Sequence, residues 1–318
     1  MRSLRVLAPS RLHFGLWSLA GAEGRQYGGV GAMVERPGLA LAIRPADQFA
    51  AGGELAPRVL IFAQRWAEFH RLPLPNCQIE VVSSPPEHAG LGTGTQLALA
   101  IAAGLNAWCE LPPQTPRELA LSVGRGLRSA VGTYGFVLGG MIVEQGKLPG
   151  EPISPLDCRL DLPAEWRFVL ARPTNLAGLA GDEEAAAIDS LPAIAPEVTA
   201  SLVAEVREHL VPAAATADFP AFAASLFRYG LRSGQCFSAR QGGPYNGPVL
   251  TRLVDVIREL GGVGVGQSSW GPTLFVAQPR QAAAEEFVRR LGAAAAPGAI
   301  DLTISSPANH GAKIIASS

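Results

Sequence analysis

The feature that most constrains this chain is a glycine-rich loop that runs straight into an apolar helix. Residues 90–96 read Gly-Leu-Gly-Thr-Gly-Thr-Gln, and residues 96–108 read QLALAIAAGLNAW. That helical stretch is apolar nearly all round, which places it in the middle of a core. Its N-terminus carries unpaired N–H donors and about half a positive charge. Glycines without a Cβ let the backbone bend tightly and approach a ligand closely. An anion can be held there without a lysine. Thr93 and Thr95 can cap the helix or offer a hydroxyl to a phosphate or its metal ion. The same residues can also form a tight capped turn with no ligand.

Two familiar phosphate loops fit poorly. A dinucleotide fingerprint wants a strand leading directly into GxGxxG, but Pro85, Pro86, Glu87 and His88 intervene, and Gly94 falls one position early. A Walker loop needs a lysine between its last glycine and the hydroxyl residue, and Gly94-Thr95 has none. Two further glycine clusters, Tyr27 to Gly31 and Gly261 to Gly271, weigh against a purely structural turn. Three polar, glycine-rich loops are more than folding requires.

Lysine scarcity narrows how anions can be held. Of 26 basic residues only Lys147 and Lys313 are lysines. GC-rich codon bias is the bland explanation, yet phosphate or carboxylate must then be met by arginine forks or backbone N–H groups. The formal net charge of −1 gives no sign of nucleic-acid or acidic-membrane binding. The 48% hydrophobic content of 318 residues supports a large core, and the length favours two domains. The N-terminus does not read as a signal peptide, and no apolar run is long enough to span a bilayer, so a cytoplasmic chain is expected. Cys77, Cys109, Cys158 and Cys236 form no CxxC pair, so four buried thiols are expected, not a zinc site or disulfides.

Along the chain, residues 4–7, 38–44, 77–81 and 166–171 read as strands, and 59–70 and 96–108 as helices. The proline-spaced stretch Pro149, Pro152, Pro155 and Pro163 is the candidate domain boundary. Helices are expected near 183–190, 197–210, 218–232, 248–260 and 280–291, with two short strands closing the chain. The elements mix without strict alternation, which favours α+β layers over a doubly wound parallel sheet.

Taken together, these segments resemble the GHMP superfamily, the relatives of galactokinase, homoserine kinase and mevalonate kinase. Pro86-x-x-x-Gly90-Leu91-Gly92-Thr93 is similar to the superfamily's phosphate loop. Ala8 to Gly15, APSRLHFG, resembles its N-terminal motif, and Gly264 to Ser269, GVGQSS, its third, glycine-rich motif. The resemblance implies a two-domain α+β GHMP fold. A ribosomal S5 domain 2-like N-terminal domain, residues 1–155, would carry the loop, and a ferredoxin-like C-terminal domain would span 156–318.

The departures from the kinases are informative. Gly94 and Thr95 stand where those kinases carry Ser-Ser or similar. Many of them also place an Asp shortly before a Gly-Gly pair to act on the substrate hydroxyl, and residues 124–140 contain no Asp or Glu. A narrower resemblance removes the conflict. HAGLGTGTQL (88–97), Arg125, Gly139-Gly140 and SSWGPTL (268–274) look like the β-ribofuranosylaminobenzene 5′-phosphate synthase family; Gln241-Gly242-Gly243 and Tyr245 resemble its bacterial branch. That family does not phosphorylate. It condenses phosphoribosyl pyrophosphate with 4-aminobenzoate or 4-hydroxybenzoate, releasing CO₂ and pyrophosphate, and its C-riboside feeds methanopterin-type cofactors. By this resemblance Mg²⁺ and a homodimer are expected, with no nucleic-acid or membrane partner. A GHMP small-molecule kinase and a non-catalytic ligand-binding homologue are the alternatives.

The resemblance assigns candidate roles. Gly90, Gly92, Thr93, Gly94, Thr95 and Gln96 are the phosphate-binding candidates. Arg11 and Arg125 could hold phosphates or the benzoate carboxylate, with surface ion pairing as the alternative. His13 and His88 could donate to anions or simply pack. Gly28, Gly29, Gln241, Gln267, Ser268, Ser269 and Trp270 are the substrate-pocket candidates, Trp270 by stacking on the ring or by core packing. Metal ligands are not assigned: Asp182, Glu183 and Glu184 could bind Mg²⁺, or could be an acidic first helical turn. The acidic pair of common phosphoribosyltransferases is absent.

Overall fold

A computed structural model describes residues 2–19, 24–176, 178, 186–187, 190–296 and 298–317. Two sheets organise the described residues. The first contains β1 (Ser3–Leu16), β2 (Gly29–Pro45), β3 (Ala50–Gly52), β4 (Cys77–Ser83), β5 (Met141–Glu144), β6 (Leu156–Leu160) and β11 (Lys313–Ser317). Its order is β11-β1-β2-β4-β3. The long β2 also pairs β5 through residues 29–32, and β5 pairs β6. All these pairings are antiparallel except β3 with β4. The apolar alternation at the chain start marks only the first part of β1, which continues through Arg11 and His13.

The second sheet contains β7 (Arg167–Pro173), β8 (Val265–Gln267), β9 (Leu274–Gln278) and β10 (Ile300–Ser305), all antiparallel in the order β10-β7-β9-β8. Counting from β7, this is strand order 4-1-3-2, with helices between the first and second and between the third and fourth strands. That is the expected ferredoxin-like arrangement.

On the first sheet pack α1 (Ala56–His70), α2 (Thr93–Trp108) and α4 (Val131–Leu138), with α3 (Pro116–Ser122) against these helices. Helix α2 is central, with Leu97 through Ala102 and Leu105 wholly buried against Leu4, Val6, Leu41 and Ile43 of β1 and β2. The remaining helices are α5 (Pro196–Ala204), a π-helical turn (Glu205–Leu210), α6 (Val211–Ala215), α7 (Phe219–Gln235), α8 (Ser238–Gln241), α9 (Gly247–Glu259) and α10 (Gln281–Ala294). The helix expected near 183–190 lies largely outside the described residues.

A second core binds the sheets together. Phe14 of β1 meets Phe275 of β9 at 5.1 Å and Phe168 of β7 at 6.3 Å between ring centroids. Leu12, Val30, Leu170, Phe222 and Tyr229 complete it. The proline-spaced stretch contains β6, which joins the first sheet, and β11 returns to that sheet from the chain's far end. The sheets therefore do not divide at residue 155. The thiol expectation also needs correction: only Cys77 is buried, while Cys109 and Cys236, at the C-termini of helices, and Cys158, in the half-buried strand β6, are half-buried.

Candidate active site

Three segments distant in sequence are stitched together beside the glycine loop. The N–H of Arg11 donates to the carbonyl of Leu91 at 3.0 Å, clipping the loop to β1. Buried Ser268 bridges them: its hydroxyl donates to the Gly90 carbonyl at 2.7 Å and accepts from the N–H of His13 at 3.1 Å. The N–H of Ser269 donates to the carbonyl of His13 at 3.2 Å. Gly90 meets the backbone of Gly271 with no room for a side chain. Gly92, at φ +73°, caps α2 in the left-handed region that favours glycine.

Where β1, the 124–129 loop, α7 and the 267–270 segment converge, a cleft of about 770 Å³ opens. Arg11, Arg65, Arg125, Arg128 and Lys147 line it, together with His13, Ser129 and Thr95, and among the described residues no carboxylate does. The α2 side is cationic. The guanidinium of Arg125 lies 4.9 Å from the Phe62 ring centroid, with Arg65 and Arg58 near the same ring. A Cβ on Gly94 would meet the ends of Arg58 and Arg125, so the first turn of α2 and these guanidinium groups share one electropositive corner.

The α7 side is aromatic. Phe237 and Trp270 pack edge-to-face at 5.6 Å, with Tyr27, Pro244 and Gln241 beside them on the cleft. The Trp270 Nε1 donor and the Gln241 Oε1 acceptor are buried and have no hydrogen-bond partner among the described residues. Gln267 holds the wall in shape, accepting from the N–H of Asn246 and donating to the carbonyl of Ser269.

The expected residues divide accordingly. Arg11, His13, Thr95, Arg125, Gln241, Gln267, Ser269 and Trp270 line the cleft. Gly90, Gly92, Thr93, Gly94, Gln96, Gly28, Gly29 and Ser268 lie behind its wall. Gln96 is buried and donates to the Gly132 carbonyl at 2.9 Å, fixing α2 to α4; Thr93 donates to the Pro86 carbonyl. A Cβ on Gly28 would strike the Trp17 indole, and one on Gly29 the Gly15 carbonyl, so both serve close packing. His88 is exposed and does not line the cleft. Asp182, Glu183 and Glu184 lie outside the described residues.

The sequence reading missed Glu144, four residues beyond Gly140. Wholly buried at the end of β5, it accepts from the Ser129 hydroxyl at 2.6 Å and the Ala130 N–H at 2.6 Å. Ser129 Oγ in turn lies 3.0 Å from His13 Nε2. Burial pushes the Glu144 carboxyl up from 4.5 to about 7, although hydrogen bonds from Ser129, Ala130 and Ser154 and the charge of Arg11 favour its ionised form. Burial, and then Arg11, hold His13 well below its usual 6.5, so its ring is neutral at pH 7. The serine that links them was the only local signal, because the three residues meet only in the folded chain.

Among the described residues no cluster of three or more His, Cys, Asp or Glu could hold a metal. Among the described residues the cleft wall carries no carboxylate to hold Mg²⁺, and Mg²⁺ arriving on a diphosphate would be part of the substrate. Also among them, no helix is long and apolar enough to cross a membrane.

The two lobes and the cleft between them define a known architecture. Residues 58–140 match the GHMP kinases N terminal domain, and residues 210–297 the GHMP kinases C terminal domain. A homoserine kinase from Cytophaga hutchinsonii superposes with a TM-score of 0.68 at 18% identity, covering 98% of this chain and 97% of its own. Mevalonate diphosphate decarboxylase from Staphylococcus aureus gives 0.66 at 12%, covering 99% and 98%. Sequence similarity goes further. Beta-ribofuranosylphenol 5′-phosphate synthase of Methanothermobacter thermautotrophicus is 31% identical over 293 residues, 86% of this chain and 88% of the relative. The protein of the same name from Archaeoglobus fulgidus is 32% identical over 239 residues, 71% and 74% of the two chains. The chain therefore belongs, within the GHMP superfamily, to the family of these synthases, and it is an enzyme of the transferase type.

Proposed function

We propose that this enzyme condenses phosphoribosyl pyrophosphate with 4-hydroxybenzoate or 4-aminobenzoate, releasing pyrophosphate and CO₂ and forming a C-riboside 5′-phosphate for a methanopterin-type cofactor. The observation that carries the reading is the cleft's composition: five basic side chains and an aromatic pocket, with no carboxylate on the wall among the described residues. A polyanionic sugar diphosphate and an aromatic acid together match that lining. The relatives' name specifies a phenol, which favours the hydroxy acid.

The chemistry follows from the placement of charge. As pyrophosphate leaves ribose C1, negative charge grows on the leaving group, and Arg11, Arg125 and Arg128 stand where fixed cations can stabilise it. The aromatic acid lies on the α7 side, against the packed pair Phe237 and Trp270 and beside Gln241 of the cleft wall. Its carboxyl-bearing ring carbon attacks C1, aided by electrons from the para substituent, and CO₂ departs. No ring proton has to be removed, so no carboxylate is needed on the wall. Positioning the reactants and excluding water are the protein's main contributions.

The test is release of labelled CO₂ from each carboxyl-labelled acid, dependent on phosphoribosyl pyrophosphate. The expected result is stoichiometric CO₂ and pyrophosphate, with no ADP formed from ATP and candidate alcohols. ADP formation without CO₂ would return the enzyme to the kinases. Binding of phosphoribosyl pyrophosphate with no turnover of either acid would leave a ligand-binding homologue.

A further inference from the structure

Among the described residues Glu144 is the one fully buried carboxyl group, and it reaches the cleft only through other residues. The path is short: Glu144 Oε1 to Ser129 Oγ, 2.6 Å, and Ser129 Oγ to His13 Nε2, 3.0 Å, with His13 and Ser129 both on the cleft wall. A structural account exists, since the carboxyl also accepts from the Ala130 N–H and so ties β5 to the start of α4. A neutral amide could serve that purpose, however, without bringing an ionisable group into the core.

Serine has one hydroxyl proton, and this makes the chain directional. With Glu144 ionised, Ser129 donates to the carboxylate and must accept from His13, so His13 carries its proton on Nε2 and Nδ1 is a free acceptor. With Glu144 protonated, the carboxyl donates to Ser129, Ser129 donates to Nε2, and the ring proton sits on Nδ1. The imidazole is neutral in both states; only its tautomer changes.

We propose that Glu144 is a positioning residue for the reaction, setting through Ser129 which nitrogen of His13 carries the proton and storing the proton that His13 takes from the aromatic substrate. This rests on the synthase reading above. In the addition step the ring carbon forms its bond to ribose C1 as the C1–O bond to pyrophosphate breaks. The para hydroxyl or amino group gives a proton to His13 Nδ1, the Nε2 proton passes to Ser129, and the Ser129 proton passes to Glu144. When the bond to CO₂ breaks, its electron pair restores the ring, and the proton returns along the same path. No proton is gained or lost overall.

The surroundings suit such a store. Burial brings Glu144 to about 7, against hydrogen bonds from Ser129, Ala130 and Ser154. From β1, Arg11 and His13 face the group; from α4, Tyr134; from α7, Tyr229. Arg11 favours the ionised form, and the two tyrosines are themselves pushed up by burial, so they stay neutral. Across the strand pairs stand Gly29 of β2 and Leu156 of β6, neither titratable.

The test reads the histidine directly. In ¹⁵N-histidine-labelled protein without substrate, the His13 ring nitrogens should exchange tautomer through a transition near pH 7 while the ring stays neutral. Glu144→Gln should hold the Nδ1–H tautomer throughout, because its amide accepts from Ala130 and donates to Ser129. Ser129→Ala, which keeps Glu144 in place, should uncouple His13 from the transition, and it carries the test should Glu144→Gln not fold. In turnover, wild-type kcat should rise with pH through the same transition. Glu144→Gln should lose that rise and about 10²-fold in kcat, with KM for phosphoribosyl pyrophosphate changed less than about threefold. A single His13 tautomer from pH 5.5 to 8.5 in the wild type overturns the proposal, as does an unaltered transition in either variant, or a kcat that does not follow it. If neither acid yields CO₂, the synthase reading falls and takes the proton-transfer step with it. The coupling of Glu144 to His13 is read without substrate, so the two failures are distinguishable.

Discussion

Two ionisable groups of the interior, His13 and Glu144, pull stability in opposite directions with pH. His13 is held below its usual value, so unfolding takes up a proton there in acid. Its contribution is present above the unfolded value of about 6.5 and is lost as pH falls below it. Glu144 is raised from 4.5 to about 7, so between those values the folded chain binds more protons than the unfolded one. Its contribution is present below 4.5 and is lost as pH rises to about 7, an order of about 3 kcal/mol by the end. Glu144→Gln should therefore gain on the wild type between pH 5 and pH 8, as read by urea denaturation at the two values. Parallel pH dependences in the two proteins would show that the carboxyl does not titrate in the folded state. Gly92 makes a separate case. A Cβ there would lie 3.1 Å from Arg11 Cβ and 3.2 Å from its Nε, at a φ of +73°. Gly92→Ala should cost about 1–2 kcal/mol of stability and raise KM for phosphoribosyl pyrophosphate several-fold by moving Arg11, with KM for the benzoate affected much less. The sequence made Gly92 conspicuous for another reason, direct approach of an anion; only the folded chain puts the arginine against it. Glu144 was illegible for the same reason, being 131 positions from His13.

At the scale of elements, legibility followed the strength of the local signal. Helix α2 was readable because thirteen residues from Gln96 to Trp108 are apolar almost without break. Helix α4 was not: VGTYGFVL carries two glycines and β-branched residues, and it is helical because Val131, Phe136 and their neighbours pack on the sheet. Strands β5 and β6 are four and five residues long, too short for a period to show. Helix α3 did have a signal, the capping box Thr115-Pro116-Arg117-Glu118. Thr115 Oγ1 accepts from the Glu118 N–H at 3.2 Å, and the Glu118 carboxylate accepts from the Thr115 N–H at 2.9 Å. Thr115→Ala should lower stability by about 1 kcal/mol in chemical denaturation. Because the box is exposed and away from the cleft wall, kcat should stay within about twofold. A larger loss of kcat would mean that α3 helps set the 124–129 loop that follows it.

Over the whole molecule, the two-layer organisation was readable from the mixture of elements, but the closure of the first sheet was not. β11 pairs β1 from the far end of the chain, with Leu7 opposite Lys313 and Ser3 opposite Ser317, and nothing local announces such a pairing. Charge shows the same contrast between totals and placement. The net formal charge of −1 gave no hint of a charged ligand, yet the fold gathers Arg11, Arg65, Arg125, Arg128 and Lys147, one of only two lysines, around a single cleft. Such a cleft concentrates the local potential and attracts polyanions even when the molecule as a whole is nearly neutral. Raising the ionic strength from about 0.1 M to about 1 M shortens the screening length from about 10 Å to about 3 Å. On the proposed reading phosphoribosyl pyrophosphate meets several of these cations at once, and its KM should then rise on the order of tenfold. On the same reading the aromatic acid carries one charge and rests largely against Phe237 and Trp270, so its KM should rise about twofold or less. Steady-state kinetics at matched pH in a salt series would read both. Equal salt sensitivity for the two substrates would mean that the wall of arginines holds the benzoate as firmly as the phosphates, and the aromatic side of the cleft would need another occupant.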